Sequence, residues 1–169
     1  ISNYAFYGSN IQSITLPQSI ESINPFSFYK CSKLEKINFE TGSKLSLIGS
    51  NAFQFSTLKS IILPSSINEI EEAAFSQCYR LNTVIFSSSS SQDSNSLTAI
   101  ADNTFESSSI VKIILPSTIE TIGENAFKNC SNLSGQLLLP SSLTSLGSYC
   151  FALFVKLSNA FHSANIFDS

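Results

Sequence analysis

The sequence is poor in the residues that nucleic-acid, membrane and phosphate-binding sites need. It has six glycines, no methionine or tryptophan, and only 12% charged residues. With a net charge of −3 and a pI of about 5.1, it has no basic field for phosphate backbones or anionic lipid, so we expect no nucleic-acid partner. No apolar run approaches the roughly 18 residues that cross a bilayer. We therefore expect no membrane insertion and, without a glycine-rich loop, no phosphate cradle.

The single histidine and the scattered cysteines argue against catalysis and metal binding. A Ser-His-Asp triad would have to combine His162 with Asp168 and a serine, yet no serine lies in a nucleophile-elbow motif. Zinc sites use closely spaced cysteine pairs or histidine clusters, and neither is present. We expect no enzyme activity, no cofactor and no metal.

Internal repetition is the main feature of the sequence. The stretch SIILPSSINEIEEAAFSQC begins at Ser60, and KIILPSTIETIGENAFKNC begins at Lys112, with the apolar residues, proline, Ala-Phe pair and cysteine in register. Seven such units end in a phenylalanine. These are Phe6, Phe28, Phe53, Phe75, Phe105, Phe127 and Phe151. Most units have a period of about 23 residues, which is typical of leucine-rich repeats.

Each unit has the pattern of a short strand followed by a return segment. Ile61 and Leu63 lie two residues apart and share one face of a strand, which Pro64 ends because it has no N–H to donate. Ile67 and Ile70, three apart, indicate a tight turn or a short extended return. Because one unit cannot bury its apolar face alone, the units must stack. The pattern predicts a right-handed solenoid with a parallel sheet along one side.

We expect one solenoid domain over residues 1–169, from a longer chain, because the first six residues resemble the end of a unit. The polar, serine-rich stretch 87–96 should bulge out as a loop. Gln136 lies in a strand one residue longer than the others, which predicts a β-bulge. Residues 158–169 leave the pattern and form an irregular tail or cap.

Four cysteines and two glycosylation sequons need separate interpretation. Cys31, Cys78 and Cys130 recur in every second unit, so neighbours lie about 9–10 Å apart, beyond the roughly 7 Å that a disulfide allows. Cys150 replaces the alanine of an Ala-Phe pair, which makes it a small buried residue. We therefore expect four free core thiols. Asn129 and Asn132 begin N-x-S sequons, which mark glycosylation but also arise by chance in a serine-rich chain.

One strand position points away from the core and is aliphatic in four successive units. The aliphatic stripe consists of Ile62, Ile85, Ile114 and Leu138. Lys36 and Lys112 lie on the same face two positions earlier and form a polar rim. An apolar patch with a polar rim is typical of a protein-binding surface. Two alternatives remain open: the β-propensity of isoleucine in a pleated strand, and self-association through this face.

The motif L-P-S-S-I-x-x-I-x-x-x-A-F-x-x-C resembles the BspA-type leucine-rich repeat of bacterial and protist surface proteins, from Ile1 to about Leu157. The resemblance implies a β-rich α/β horseshoe, with parallel strands on one side and turns and short helical segments on the other. It also implies a non-enzymatic, cell-surface or secreted adhesion and recognition module that binds host matrix or cell-surface proteins. The alternative is a structural spacer or self-association domain of a surface protein.

Overall fold

Two series of short parallel strands run along the chain in the computed structural model, which describes residues 1–87, 96–133 and 137–153. The first series follows the predicted strands: β1 (Ser13–Leu16), β3 (Lys36–Phe39), β5 (Ser60–Leu63), β7 (Thr83–Phe86) and β9 (Lys112–Ile113). The second series lies in the return segments: β2 (Ser22–Ile23), β4 (Leu47–Ile48), β6 (Glu69–Ile70), β8 (Ala99–Ile100), β10 (Thr121–Ile122) and β11 (Ser145–Leu146).

Strands of the same series pair with each other in parallel. In the first series β1 pairs with β3, and β7 lies between β5 and β9. In the second series β4 lies between β2 and β6, and β10 lies between β8 and β11. A unit therefore contributes a strand to each side of the molecule. The predicted solenoid with parallel strands is confirmed, and the extended return predicted from Ile67 and Ile70 is β6.

The strand boundaries follow from the residues that the sequence places there. In β5 the side chains of Ile61 and Leu63 are buried, while those of Ser60 and Ile62 are exposed, as a period of two requires. Pro64 follows immediately and ends the strand, because it offers no N–H to a ladder. This alternation puts one face of the sheet into the core and leaves the other face for solvent or a partner.

A column of stacked phenylalanine rings forms the centre of the core. Successive rings from Phe6 to Phe151 have centroids 4.9 to 5.5 Å apart, and their planes differ by at most 21°. The five inner rings are fully buried. Because the separation of the rings is close to the spacing of paired strands, each layer delivers one ring to the same column. The phenylalanines that end the seven units in the sequence therefore form one continuous column.

The segment around each of these phenylalanines is built from turns with paired left-handed residues. In every layer the residues two before and two after the ring have positive φ, as Asn51 at 58° and Phe55 at 60° do around Phe53. Asparagine tolerates this conformation better than most residues, and it also stands at positions 103, 125 and 129. These left-handed residues interrupt any right-handed helical run.

Alternate backbone amides in these segments bond between layers. The N–H of Phe53 donates to the carbonyl of Ala74 in the next layer at 2.8 Å, whereas the N–H of Ala52 donates back to Gly49 at 3.1 Å. An α-helix would direct all of these amides along its own axis. The expected short helical segments are therefore wrong: residues 1–87, 96–133 and 137–153 contain no helix, because half of these donors hold neighbouring layers together.

Glycine stands where layers approach too closely for a side chain, as at Gly49 and Gly123. A Cβ on Gly49 would lie 2.6 Å from the backbone nitrogen of Pro25, and a Cβ on Gly123 would lie 2.6 Å from that of Asp102. Both glycines directly follow a strand of the second series. The recurring Ile-Gly pair of the sequence thus has a steric cause at these layers.

We predict that Phe75→Ala lowers the free energy of unfolding by about 3–5 kcal/mol, because it removes a fully buried ring from the middle of the column and leaves a cavity. Urea unfolding followed by circular dichroism measures the change. The matched control is Tyr79→Ala, since Tyr79 is exposed four residues away and its loss should cost less than about 0.5 kcal/mol. Equal losses for the two variants would contradict the central role of the column.

Candidate functional site

The aliphatic stripe is exposed on the strand face, as the sequence predicts. The exposed fractions are 57% for Ile62, 46% for Ile85, 68% for Ile114 and 68% for Leu138. Ile62 and Ile85 lie opposite each other in the β5–β7 ladder, and Ile114 directly follows β9. Leu138 lies in the described segment 137–153 but outside any strand there, and the bulge predicted at Gln136 falls outside the described residues.

A shallow hollow of about 290 Å³ lies on the stripe between β7 and β9. Its lining is Val84, Ile85, Phe86, Ile114, Thr83 and Lys112. Four of these side chains are apolar, one is a hydroxyl and one is a cation. The hollow can therefore accept an apolar side chain that has a hydrogen-bond acceptor or an anion beside it.

A second hollow, of about 380 Å³, lies where the first strand series is interrupted between β3 and β5. The longer unit between Phe28 and Phe53 places residues 40–43 along this hollow. Lys36 and Asn38 line one side, and Ser60 and Ile62 line the other. The stripe therefore ends, at Ile62, against a recess that polar and apolar residues line together.

The rim lysines lie where the sequence places them. Lys36 and Lys112 are the first residues of β3 and β9, and both side chains are exposed. Two other cations near the rim lysines form ion pairs with Glu35. Lys59 Nζ lies 2.6 Å from one carboxylate oxygen of Glu35, and Arg80 lies 3.4 Å from the other oxygen. The hydrogen bond from Lys59, followed by the charges of both cations, lowers the pKa of Glu35.

Three further cations near the rim lysines were not predicted from the sequence as part of the strand-face surface. Lys33, Lys59 and Arg80 precede strands of the first series and are exposed. The sequence does contain a pattern that indicates them, because a basic residue recurs within the three positions before the start of a strand. The pattern is hard to recognise because the basic residue occupies a different position in different units.

The cysteines form part of a regular hydrogen-bonded column rather than a reactive site. The thiol of Cys78 donates to the carbonyl of Phe53 at 3.1 Å, and the hydroxyl of Ser56 lies 3.4 Å from the same sulfur. Cys31 with Ser9 and Cys130 with Ser108 repeat this arrangement. All four cysteines, including Cys150, are buried and free, so the expected core thiols are confirmed.

Burial controls the protonation of these thiols. It raises the pKa of Cys78 to about 12 and that of Cys130 to about 11, and it also raises the pKa of Cys31 and of Cys150. A thiol with such a pKa stays protonated at neutral pH and is a poor nucleophile. The cysteines are therefore structural residues.

The described part of the chain shows neither a metal-ligand cluster nor a membrane-spanning helix. Residues 1–87, 96–133 and 137–153 contain no group of three or more histidine, cysteine or acidic residues that could hold a metal ion. Within the same ranges, no helix is long and apolar enough to span a bilayer. His162 and Asp168 lie outside the described residues.

The two sequon asparagines differ in access. Asn132 is exposed, whereas Asn129 is half-buried, and its side-chain amide donates to the hydroxyl of Ser107 at 3.3 Å. Of the two, Asn132 is the one that an external enzyme can reach. Its glycosylation stays a prediction.

An aromatic cluster on the turn side of the first layers was also missed. Tyr4 stacks on Phe26 at 5.1 Å, and Tyr7 stacks on Tyr29 at 5.2 Å, while the ammonium of Lys30 lies 5.4 Å from the Tyr29 ring. The equivalent positions in later layers are mainly polar. The sequence indicates the cluster through aromatic residues close to the repeating phenylalanines of the first two units. They are hard to recognise because they do not recur with the period of the core phenylalanines.

We predict that stability falls as pH rises above about 9, because the folded state keeps its thiols protonated to higher pH than the unfolded chain. The unfolded thiols lose protons near their ordinary value of 9.0, so above it the unfolded state binds fewer protons and is favoured. Each buried thiol contributes up to about 1.4 kcal/mol per pH unit.

Urea unfolding between about pH 8 and pH 10 measures this slope. The control is the Cys78→Ser/Cys130→Ser variant, which should show a smaller loss over the same range because serine does not titrate there. Identical slopes for the two proteins would refute the assignment to the thiols.

Comparison with known proteins places this arrangement in a family. The family model described as BspA type leucine rich repeat region matches residues 1–96 and 98–168, in six copies. No curated protein matches the sequence.

Three solved structures are similar to the chain. A leucine rich cell surface protein from Faecalibacterium prausnitzii A2-165 is 25% identical, with a TM-score of 0.69, and the match covers 88% of this chain and 38% of that one. The pneumococcal vaccine antigen PcpA is 35% identical, with a TM-score of 0.52 and coverage of 85% and 28%. A leucine rich repeat protein from T. pallidum is 26% identical, with a TM-score of 0.62 and coverage of 87% and 65%. The chain spans less than two thirds of each.

Proposed function

Because the chain belongs to the BspA-type leucine-rich-repeat family, we propose that it is a non-enzymatic recognition module of a cell-surface or secreted protein. It binds a protein ligand, such as a host matrix or cell-surface protein, through the strand face. The aliphatic stripe with its lysine rim is the observation that carries the proposal. The description of the Faecalibacterium structure as a cell surface protein supports the location.

The position of the stripe along the solenoid supports binding over simple β-propensity. In β1 and β3 the outward position equivalent to Ile62 is Thr15 and Asn38, whose side chains lie opposite each other and hydrogen-bond at 3.4 Å. A polar pair is therefore compatible with this strand geometry. Aliphatic residues occupy this position only in later layers, where Ile62 pairs with Ile85 and Ile114 shares a hollow with Ile85, and desolvating such a patch favours association.

The surroundings of the stripe also fit a binding surface. Apolar side chains lie at the centre, with Ser60, Thr83 and the two rim lysines beside them. Interfaces of this kind take most of their free energy from a few central apolar contacts, while the polar rim sets orientation and partner choice. Ile85 and Ile114 flank the hollow and are the strongest candidates for the central contacts.

We predict that Ile62→Ser/Ile85→Ser/Ile114→Ser abolishes saturable binding of the purified chain to matrix proteins or host cells. The three side chains point outward, so the fold should survive, and circular dichroism and urea unfolding verify this before binding is compared. A plate assay over a panel of matrix proteins and cultured cells gives the readout.

The matched control is Tyr79→Ser/Tyr149→Ser/Leu153→Ser, which removes three equally exposed apolar side chains from the turn side. It should bind like the parent chain. Binding that the stripe variant retains would refute the site. Sedimentation of the parent as a dimer that the stripe variant loses, with no binding to the panel, would instead favour the self-association domain. Absence of both would leave the structural spacer as the better account.

A further inference from the structure

Charge is divided between the two strand series. Five of the nine lysine and arginine residues lie along one edge of the first series and form the cationic edge. They are Lys33, Lys36, Lys59, Arg80 and Lys112, all exposed. Glu35 lies among them and is paired with Lys59 and Arg80, which leaves the edge with an excess of positive charge.

Most of the exposed acidic residues that the structure describes gather around the second series instead, while Glu40, directly after β3, lies beside the first series. The exposed ones there are Glu21, Glu69, Glu72, Asp102, Glu120 and Glu124. Although the chain has a net charge of −3, the strand face is therefore locally positive beside the stripe. Charge complementarity then favours a partner surface whose apolar residues have acidic neighbours on one side.

The spacing of the stripe indicates the conformation of that partner. The stripe presents one side chain per repeat unit, and successive units are stacked at about the 4.8 Å spacing of paired strands. A helix that lies along the stripe places an apolar side chain on the contact face once per turn, about every 5.4 Å. An extended segment places one there about every 6.6 Å. Across the three intervals between the four stripe residues, the side chains of the helix become displaced from the stripe by roughly 2 Å and those of the extended segment by roughly 5 Å. Only the helix stays in register with all four stripe residues.

We infer that the strand face binds an amphipathic helix of a partner protein, with an apolar face on the stripe and Asp or Glu residues along one flank. The inference rests on the proposed function and names the partner's chemistry. Lys36 and Lys112 lie three strands apart, about 14 Å, so they meet acidic residues about three helical turns apart. The hollow beside Ile85, Ile114 and Lys112 accepts an apolar side chain next to one of these acids.

Three synthetic helical peptides of about 18 residues, long enough to span the stripe, test the inference by fluorescence anisotropy. The first has leucines on one face and glutamates along one flank. The second replaces the glutamates with lysines, and the third replaces the leucines of the first with glutamines. We expect saturable binding of the acidic leucine peptide, at least roughly tenfold tighter than that of either other peptide and weaker at high salt.

Charge reversal in the protein provides the second arm. Lys36→Glu/Lys112→Glu should weaken binding of the acidic peptide roughly tenfold and strengthen binding of the basic one. Lys44→Glu/Lys128→Glu makes the same change in net charge away from the cationic edge and should have little effect. Ile62→Ser/Ile85→Ser/Ile114→Ser should bind none of the peptides.

The outcomes separate this inference from the proposed function. Failure of all three peptides to bind saturably overturns the helical partner, as does equal binding of the acidic and basic peptides. Dimerisation through the stripe, in place of peptide binding, overturns it in favour of a second copy of the chain. In any of these cases, adhesion lost in the stripe variant would still uphold the proposed function, whereas unchanged adhesion would refute that function itself.

Discussion

The stacking of one phenylalanine ring on the next, at 4.9 to 5.5 Å, is the constraint on which the other features of the molecule depend. The separation of the rings matches the spacing of paired parallel strands, so core packing and backbone hydrogen bonding impose the same rise per layer. A residue at a given position of one unit therefore lies above its equivalent in the next. Every column of the solenoid, whether buried or exposed, follows from this one coincidence of distances.

The inward residues could be predicted from the sequence because they repeat with the period of the fold. Phe53, Ile61 and Leu63 are each part of a column, and burial restricts what a column can contain. The same logic predicted the outward direction of Ile62, since its two neighbours in β5 are buried. Strand and core positions were therefore accessible from pattern alone.

The turn segments could not be predicted in the same way. Their backbone depends on left-handed residues such as Asn51, Phe55 and Ala73, whose side chains share no common chemistry. A phenylalanine or an alanine in this conformation costs about 1–2 kcal/mol, so local preference argues against it. Hydrogen bonds to the next layer, such as that from Phe55 to Ser76, stabilise the conformation and exist only once the layers have stacked. The charge division was missed for a related reason, because its members occupy different positions within their units.

The alternation of serine and cysteine along the buried column has a consequence for oxidation. Neighbouring layers bring equivalent residues to within about 5 Å, a distance at which two cysteines can cross-link. Ser56 stands between Cys31 and Cys78, and Ser108 stands between Cys78 and Cys130, so no two of these thiols are adjacent. Each serine keeps the hydrogen bond to the neighbouring sulfur without offering a second sulfur. The column can therefore retain its thiols in an oxidising environment, where a continuous run of cysteines would lock the layers together in mispaired disulfides.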